Sequence, residues 1–220
     1  MIALPLIAVF SGIYMIRKGL SDTAPLINSP MVSGSTKSAK MASIKKAYGP
    51  MLRKYAGQIG IPESVAAAIL AIESSGNGFA KDGRIIIRYE PHIFERYTGL
   101  TSKAKRGGQS AEYGNLERAI QLDENGAYLS ISMGIGQIMG FNHKIVGYSS
   151  PKKMFEAFSV SIEPQIAAMF KFIANKKSML EAAREGDFAR FAYSYNGPGY
   201  RDNKYDTKMA EVEKIYRGLE

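Results

Sequence analysis

The chain has 220 residues, 45% of them hydrophobic and 22% charged, which are globular proportions and leave room for one domain of about 150–180 residues plus an extension. It has no Cys and only His92 and His143, which excludes disulfides, thiolate metal sites and multi-histidine metal chemistry. Its formal charge of +9 suits a polyanionic partner, whether nucleic acid, anionic lipid or an acidic wall polymer, without choosing among them.

Residues 1–20 open with an uncharged run, IALPLIAVFSGIYMI, followed by Arg17 and Lys18. As a helix its 15 residues would span about 22 Å, short of a hydrocarbon core of roughly 30 Å. The expectation is a short anchor or an apolar segment that packs against another protein. Arg17 and Lys18 follow the apolar run, and positive-inside logic would keep what comes after them in the cytoplasm. Residues 21–43 are rich in Ser, Thr, Pro and Gly and read as a flexible linker. Residues 44–220 read as the folded domain.

Within that domain Tyr48 to Gln58 reads as a short amphipathic helix. Pro62 stands at a first-turn position, and PESVAAAILAIESSG reads as a helix ending at Gly76. The turn at Lys81–Arg84 leads into IIIRYE, which is strand-like and suggests a small hairpin between 79 and 90. PHIFERY resumes a helix, 101–111 reads as a basic loop, and helices follow near 115–133, 152–159, 161–176, 178–185, 187–195 and 206–218. The class is α+β, mostly α.

Glu73 is the first residue that points to chemistry. Val65, Ile69 and Glu73 fall at i, i+4 and i+8, so a carboxyl continues an apolar stripe at the last turn of its helix. Burial and the partial negative charge of a helix C-terminus both favour its protonated form, the form that general-acid cleavage needs. Periodicity alone fits a solvated Glu at a frayed helix end equally well. Glu90 closes the strand-like run and reads either as a functional carboxylate or as a surface partner of Arg88 or Arg84. Together the two make a workable pair for glycoside hydrolysis.

Two glycine-bearing segments follow. MGIGQIMGFN (Met133–Asn142) lacks the Lys and Ser/Thr of a P-loop and is expected to follow a helix, which argues against a nucleotide. YSYNGPGY (Tyr193–Tyr200) suits sugar, since aromatic faces stack on pyranose rings and amides bind acetamido groups. Each also reads as a tight structural turn. Residues 101–108 are basic but carry no nucleic-acid signature, so no nucleic-acid partner is expected.

The ordered set I-E-S-S-G, R-Y-E-P-H-I-F, S-M-G-I-G-Q-I-M-G-F-N and Y-N-G-P-G-Y resembles the phage-type N-acetylmuramidase (endolysin) family, within the lysozyme and soluble lytic transglycosylase superfamily. The resemblance covers roughly residues 45–220. It implies a lysozyme-like domain with a small β-hairpin, needing no metal or cofactor and taking bacterial peptidoglycan as substrate. The family's catalytic glutamate falls on Glu73, and a second acid falls on Glu90, where Tyr89 replaces the usual Phe. The family's S-W-G-L-F-Q-I-M-G-F-N falls on Ser132–Asn142, with Met133 in place of Trp. Gln137, Asn142, Tyr195, Asn196 and Tyr200 are then expected to bind saccharide.

The activity so implied is hydrolysis of the β-1,4 bond between N-acetylmuramic acid and N-acetylglucosamine, in host lysis or in wall penetration from the phage tail. A lytic transglycosylase yielding anhydro products is the alternative within the superfamily. A non-catalytic wall-binding virion protein is the alternative of another class. Membrane or phage tail proteins would be the partners of residues 1–20. The protein would act membrane-anchored, exported to the periplasm of an infected bacterium, or from the phage particle.

Overall fold

The computed structural model describes residues 36–74, 76–201 and 203–219, so the expected apolar segment 1–20 and most of the expected linker lie outside the described residues. In chain order the helices are α1 (Lys37–Gly57), α2 (Glu63–Ser74), α3 (Pro91–Thr98), α4 (Gly108–Leu122), α5 (Glu124–Leu129), α6 (Pro151–Val160), α7 (Ile162–Ala174), α8 (Lys177–Glu185), α9 (Phe188–Asn196) and α10 (Tyr205–Arg217). The strands are β1 (Ile87–Tyr89), β2 (Ile131–Met133) and β3 (Ile138–Met139). This is the expected α+β class, dominated by helix. The chain divides into two compact units. Of the described residues, one holds those from 36 to Gly76 and from Met169 onward, and the other holds Asn77–Ala168.

In the first unit α2 is the core helix. Ala66, Ala67, Ala68, Ile69 and Leu70 are all fully buried, which requires neighbours on every side of it. Two neighbours are α1 and α10. Helix α1 presents the stripe Met41, Ile44, Tyr48, Leu52 and Ala56, all buried at helical spacing. It begins at Lys37, where Thr36 Oγ1 accepts the Ala39 N–H. Residues 37–43, expected as linker, are therefore helical. The first turn of α2 is held from both neighbours. Arg53 of α1 donates to both oxygens of Glu63 at 2.9 and 3.0 Å. Tyr216 of α10 donates to Glu63 at 2.6 Å, and Ser64 donates to Glu213 at 2.8 Å.

In the second unit the three strands form an antiparallel sheet in the order β1-β2-β3, with Ile87 opposite Met133, Tyr89 opposite Ile131, and Met133 opposite Ile138. The free edge of β1 is covered by side chains of α4. The Gln109 amide bonds both the N–H and the C=O of Ile87, at 3.1 and 3.0 Å. One turn further along, Glu112 accepts the Tyr89 N–H at 2.8 Å. Two side chains thus take the place of a fourth strand.

The expected helix over 115–133 is instead α4, α5 and β2. Asp123 ends α4 in extended geometry and caps α5 by accepting the Gly126 N–H at 2.6 Å. The glycine-bearing segment therefore follows a strand, not a helix, and forms the β2–β3 turn. The expected hairpin between 79 and 90 is reduced to one bridge, Phe79 with Ile85, ahead of β1. Helices α2, α3 and α6 to α10 match their expected spans to within two residues, whereas α1 starts at Lys37 and not at Tyr48. No described helix is long and apolar enough to cross a membrane.

Candidate active site

Glu73 sits in the last turn of α2 with 2% exposure, continuing the buried residues Val65 and Ile69. The stripe read from the sequence is real, and the carboxyl lies inside it. Beyond it the chain turns through Gly76 at φ 80°, and the buried Tyr48 phenol donates to the Gly76 carbonyl at 3.0 Å. That bond ties the end of α2 to α1, and burial pushes the Tyr48 phenol up to about 12.

Two further tyrosines in this unit feel the Glu73 charge. Burial and then the Glu73 carboxylate raise the Tyr195 phenol well above its ordinary value. The same two causes, in the same order, raise Tyr205. Tyr195 is buried, stacked on Phe191 at 5.6 Å and edge-on to Phe172 at 5.8 Å. The structure thus places Tyr195 within reach of the Glu73 charge and adds Tyr205, which no sequence motif marked.

Asn196 closes α9, and its side chain is not among those described. Tyr200 is buried, meets Tyr193 edge-on at 6.4 Å, and its hydroxyl accepts from Arg201 Nε at 3.2 Å. Tyr193 is the exposed ring of that pair, at 58%.

Glu90 lies in the other unit, at the N-cap position of α3, where its side chain makes no capping bond. It turns back instead on a guanidinium and an imidazole. Arg88 Nε is 2.9 Å from one oxygen, and His92 Nδ1 is 3.6 Å from the other. Burial raises the Glu90 carboxyl, and Arg88 and then His92 oppose that rise. Of the two arginines offered by the sequence it is Arg88 that pairs, because Arg84 is engaged by Asp82 at 2.5 Å. Glu112 shares this field. Burial raises it, while the Tyr89 N–H and Arg88 lower it.

Gln137 takes a φ of 44°, uncommon for a residue with a Cβ. Its amide explains the geometry. The oxygen accepts from Ser132 Oγ at 3.0 Å, and the nitrogen donates to the Gly134 carbonyl at 2.8 Å. Gln137 locks its own turn. From outside, the turn is held by the fully buried Gln165, which accepts the Ile135 N–H at 2.7 Å and donates to the Phe158 carbonyl at 2.9 Å.

Two glycines of the segment are needed for close approach. A Cβ on Gly134 would come within 2.8 Å of Gln165 Oε1, and one on Gly140 within 1.8 Å of the Tyr128 carbonyl oxygen. Asn142 ends the short 3-10 turn Gly140–Asn142, half-buried, beside Phe141. Among the described residues no group of three or more His, Asp or Glu could hold a metal ion.

Comparison with known proteins gives the family. The family model described as Muramidase, N-acetylmuramidase, matches residues 62–217. Among solved structures the chain is similar to the endolysin of Burkholderia AP3 phage, at 35% identity and a TM-score of 0.71, over 77% of this chain and 70% of that one. A comparison with curated proteins finds no significant match.

Proposed function

Because the chain belongs to the N-acetylmuramidase family, whose members cleave peptidoglycan, we propose that it hydrolyses the β-1,4 bond between N-acetylmuramic acid and N-acetylglucosamine, with Glu73 as the general acid. The observation that carries this reading is the burial of Glu73, with 2% exposure, in the apolar stripe of α2. Desolvation favours the protonated carboxyl, and a carboxyl that keeps its proton near neutral pH can deliver it to a departing glycosidic oxygen. Glu90 supplies the ionised partner. Arg88 and then His92 oppose the rise that burial causes in its carboxyl, and its negative charge activates water or steadies the oxocarbenium-like sugar.

Tyr195, Asn196, Tyr200 and Asn142 line the path of the saccharide in this reading, and Gln137 shapes the turn that leads to Asn142. The protein serves a phage in lysing its host or in crossing the wall from the virion, with residues 1–20 as the attachment segment. Fractionating infected cells beside purified particles distinguishes those two settings.

The decisive test is Glu73→Gln. It should abolish turbidity loss of permeabilised bacterial walls while circular dichroism stays native, and full retained activity would refute the assignment. Product mass separates the chemistry, since a transglycosylase releases an anhydro sugar lighter by a water.

A further inference from the structure

Tyr97, which is exposed, and Phe141, which is half-buried, form an aromatic pair that the catalytic reading leaves without a task. Tyr97 lies in α3 with 49% of its surface exposed, and its ring centroid is 6.2 Å from that of Phe141, the planes inclined by 31°. The Tyr97 ring presents apolar surface to solvent, with the tilted, half-buried Phe141 ring beside it. Such a face is costly to leave in water and marks a contact site.

Its position indicates the occupant. Glu90 caps α3, and Tyr97 is seven residues further on, which returns to the same helix face about 10 Å along the axis. Asn142 follows Phe141 directly and supplies an amide in the same segment. An exposed aromatic ring with an amide-bearing residue next in the chain suits a pyranose ring carrying an acetamido group, because the sugar's axial C–H bonds pack on the aromatic plane and an amide can meet the substituent.

We infer that Tyr97 and Phe141 are a sugar-stacking subsite, which holds one N-acetylated ring of the glycan strand along α3 at a distance from the scissile bond. This rests on Glu90 belonging to the site of cleavage. The platform binds substrate and takes no part in proton transfer.

The test is steady-state cleavage of soluble N-acetylglucosamine–N-acetylmuramic acid strands. Tyr97→Ala and Phe141→Leu should each raise KM about tenfold with kcat within about twofold, the loss of one good stacking contact. Tyr97→Phe should behave as wild type. Leu122→Ala, which trims an equally exposed apolar residue at 51%, should change neither constant.

A second readout uses the absence of Trp from the chain. Tyr97→Trp provides a lone indole, whose emission should respond to N-acetylglucosamine oligomers even when Glu73→Gln has removed cleavage. If wild-type protein cleaves strands while the Tyr97 and Phe141 variants keep its KM and the indole ignores sugar, the subsite is refuted. A face built for a protein partner would give that result. If wild-type protein cleaves nothing yet the indole responds, the muramidase reading fails and the sugar platform stands.

Discussion

Glu73 and Glu90 are both carboxyls at the end of a short element, yet their surroundings oppose each other. Glu73 continues an apolar stripe, almost fully buried, with the phenols of Tyr195 and Tyr205 near enough to feel its charge. Glu90 is at the mouth of a helix, half-buried, with a guanidinium on one oxygen and an imidazole near the other. Burial resists ionisation at both, but at Glu90 Arg88 and then His92 oppose that rise, whereas Glu73 has phenols for neighbours. The difference teaches how the surroundings of one side-chain type can set two carboxyls apart, as the proposed acid and base roles require.

The comparison breaks most sharply at Glu73. Glu73→Gln should lower kcat by about 10²–10⁴-fold, the usual worth of a positioned general acid. Because an amide needs no proton uptake to be buried uncharged at neutral pH, the variant's melting temperature there should hold or rise. A variant that melts early has instead lost a structural residue.

Glu90→Gln should cost about a hundredfold in kcat, with the product's anomeric form followed by NMR. Undiminished turnover would leave Glu73 working alone.

Arg88→Gln sharpens the contrast through pH. Burial raises the Glu90 carboxyl, and Arg88 is the larger opposing influence. Without Arg88 the carboxyl titrates higher. In the proposed mechanism Glu90 acts ionised, so activity is lost as pH falls through its pKa, and the acid limb of kcat/KM should move to higher pH. A stationary limb would separate Glu90 from the base role.

The smallest effect is expected at Tyr48→Phe, which removes the bond to the Gly76 carbonyl beyond Glu73. Chemical denaturation should register a loss of about 1 kcal/mol, the net worth of one buried hydrogen bond.

Much of this was legible from residue order. Val65, Ile69 and Glu73 declare their common face by spacing, and α2 is apolar enough that its burial follows. The helices from α6 to α10 were readable because each is long enough to show its period. The β2–β3 hairpin was not. Strands of three and two residues carry no alternation, so Met133–Asn142 read as a glycine loop after a helix.

Helix α4 was placed too late because Gly107 and Gly108, at φ 139° and 69°, look like loop. Its first turns are fixed by Gln109 and Glu112 reaching β1, contacts distant in sequence. The start of α1 was missed although Thr36 is an ordinary N-cap residue, since the Ser- and Lys-rich turn after it resembled linker. At the site, Glu90 was found by motif, but its choice of Arg88 over Arg84 depends on Asp82 holding Arg84.

The covering of β1 by Gln109 and Glu112 has a consequence for the company this protein keeps. An open strand edge invites any extended chain to pair with it, whether a neighbouring copy or a peptide. Here the vacant N–H and C=O of Ile87 and the N–H of Tyr89 are already taken by side chains. A peptidoglycan hydrolase works amid a dense mesh of short peptides at high local concentration. With Ile87 and the Tyr89 N–H already engaged, the β1 edge offers those peptides little backbone to zip onto.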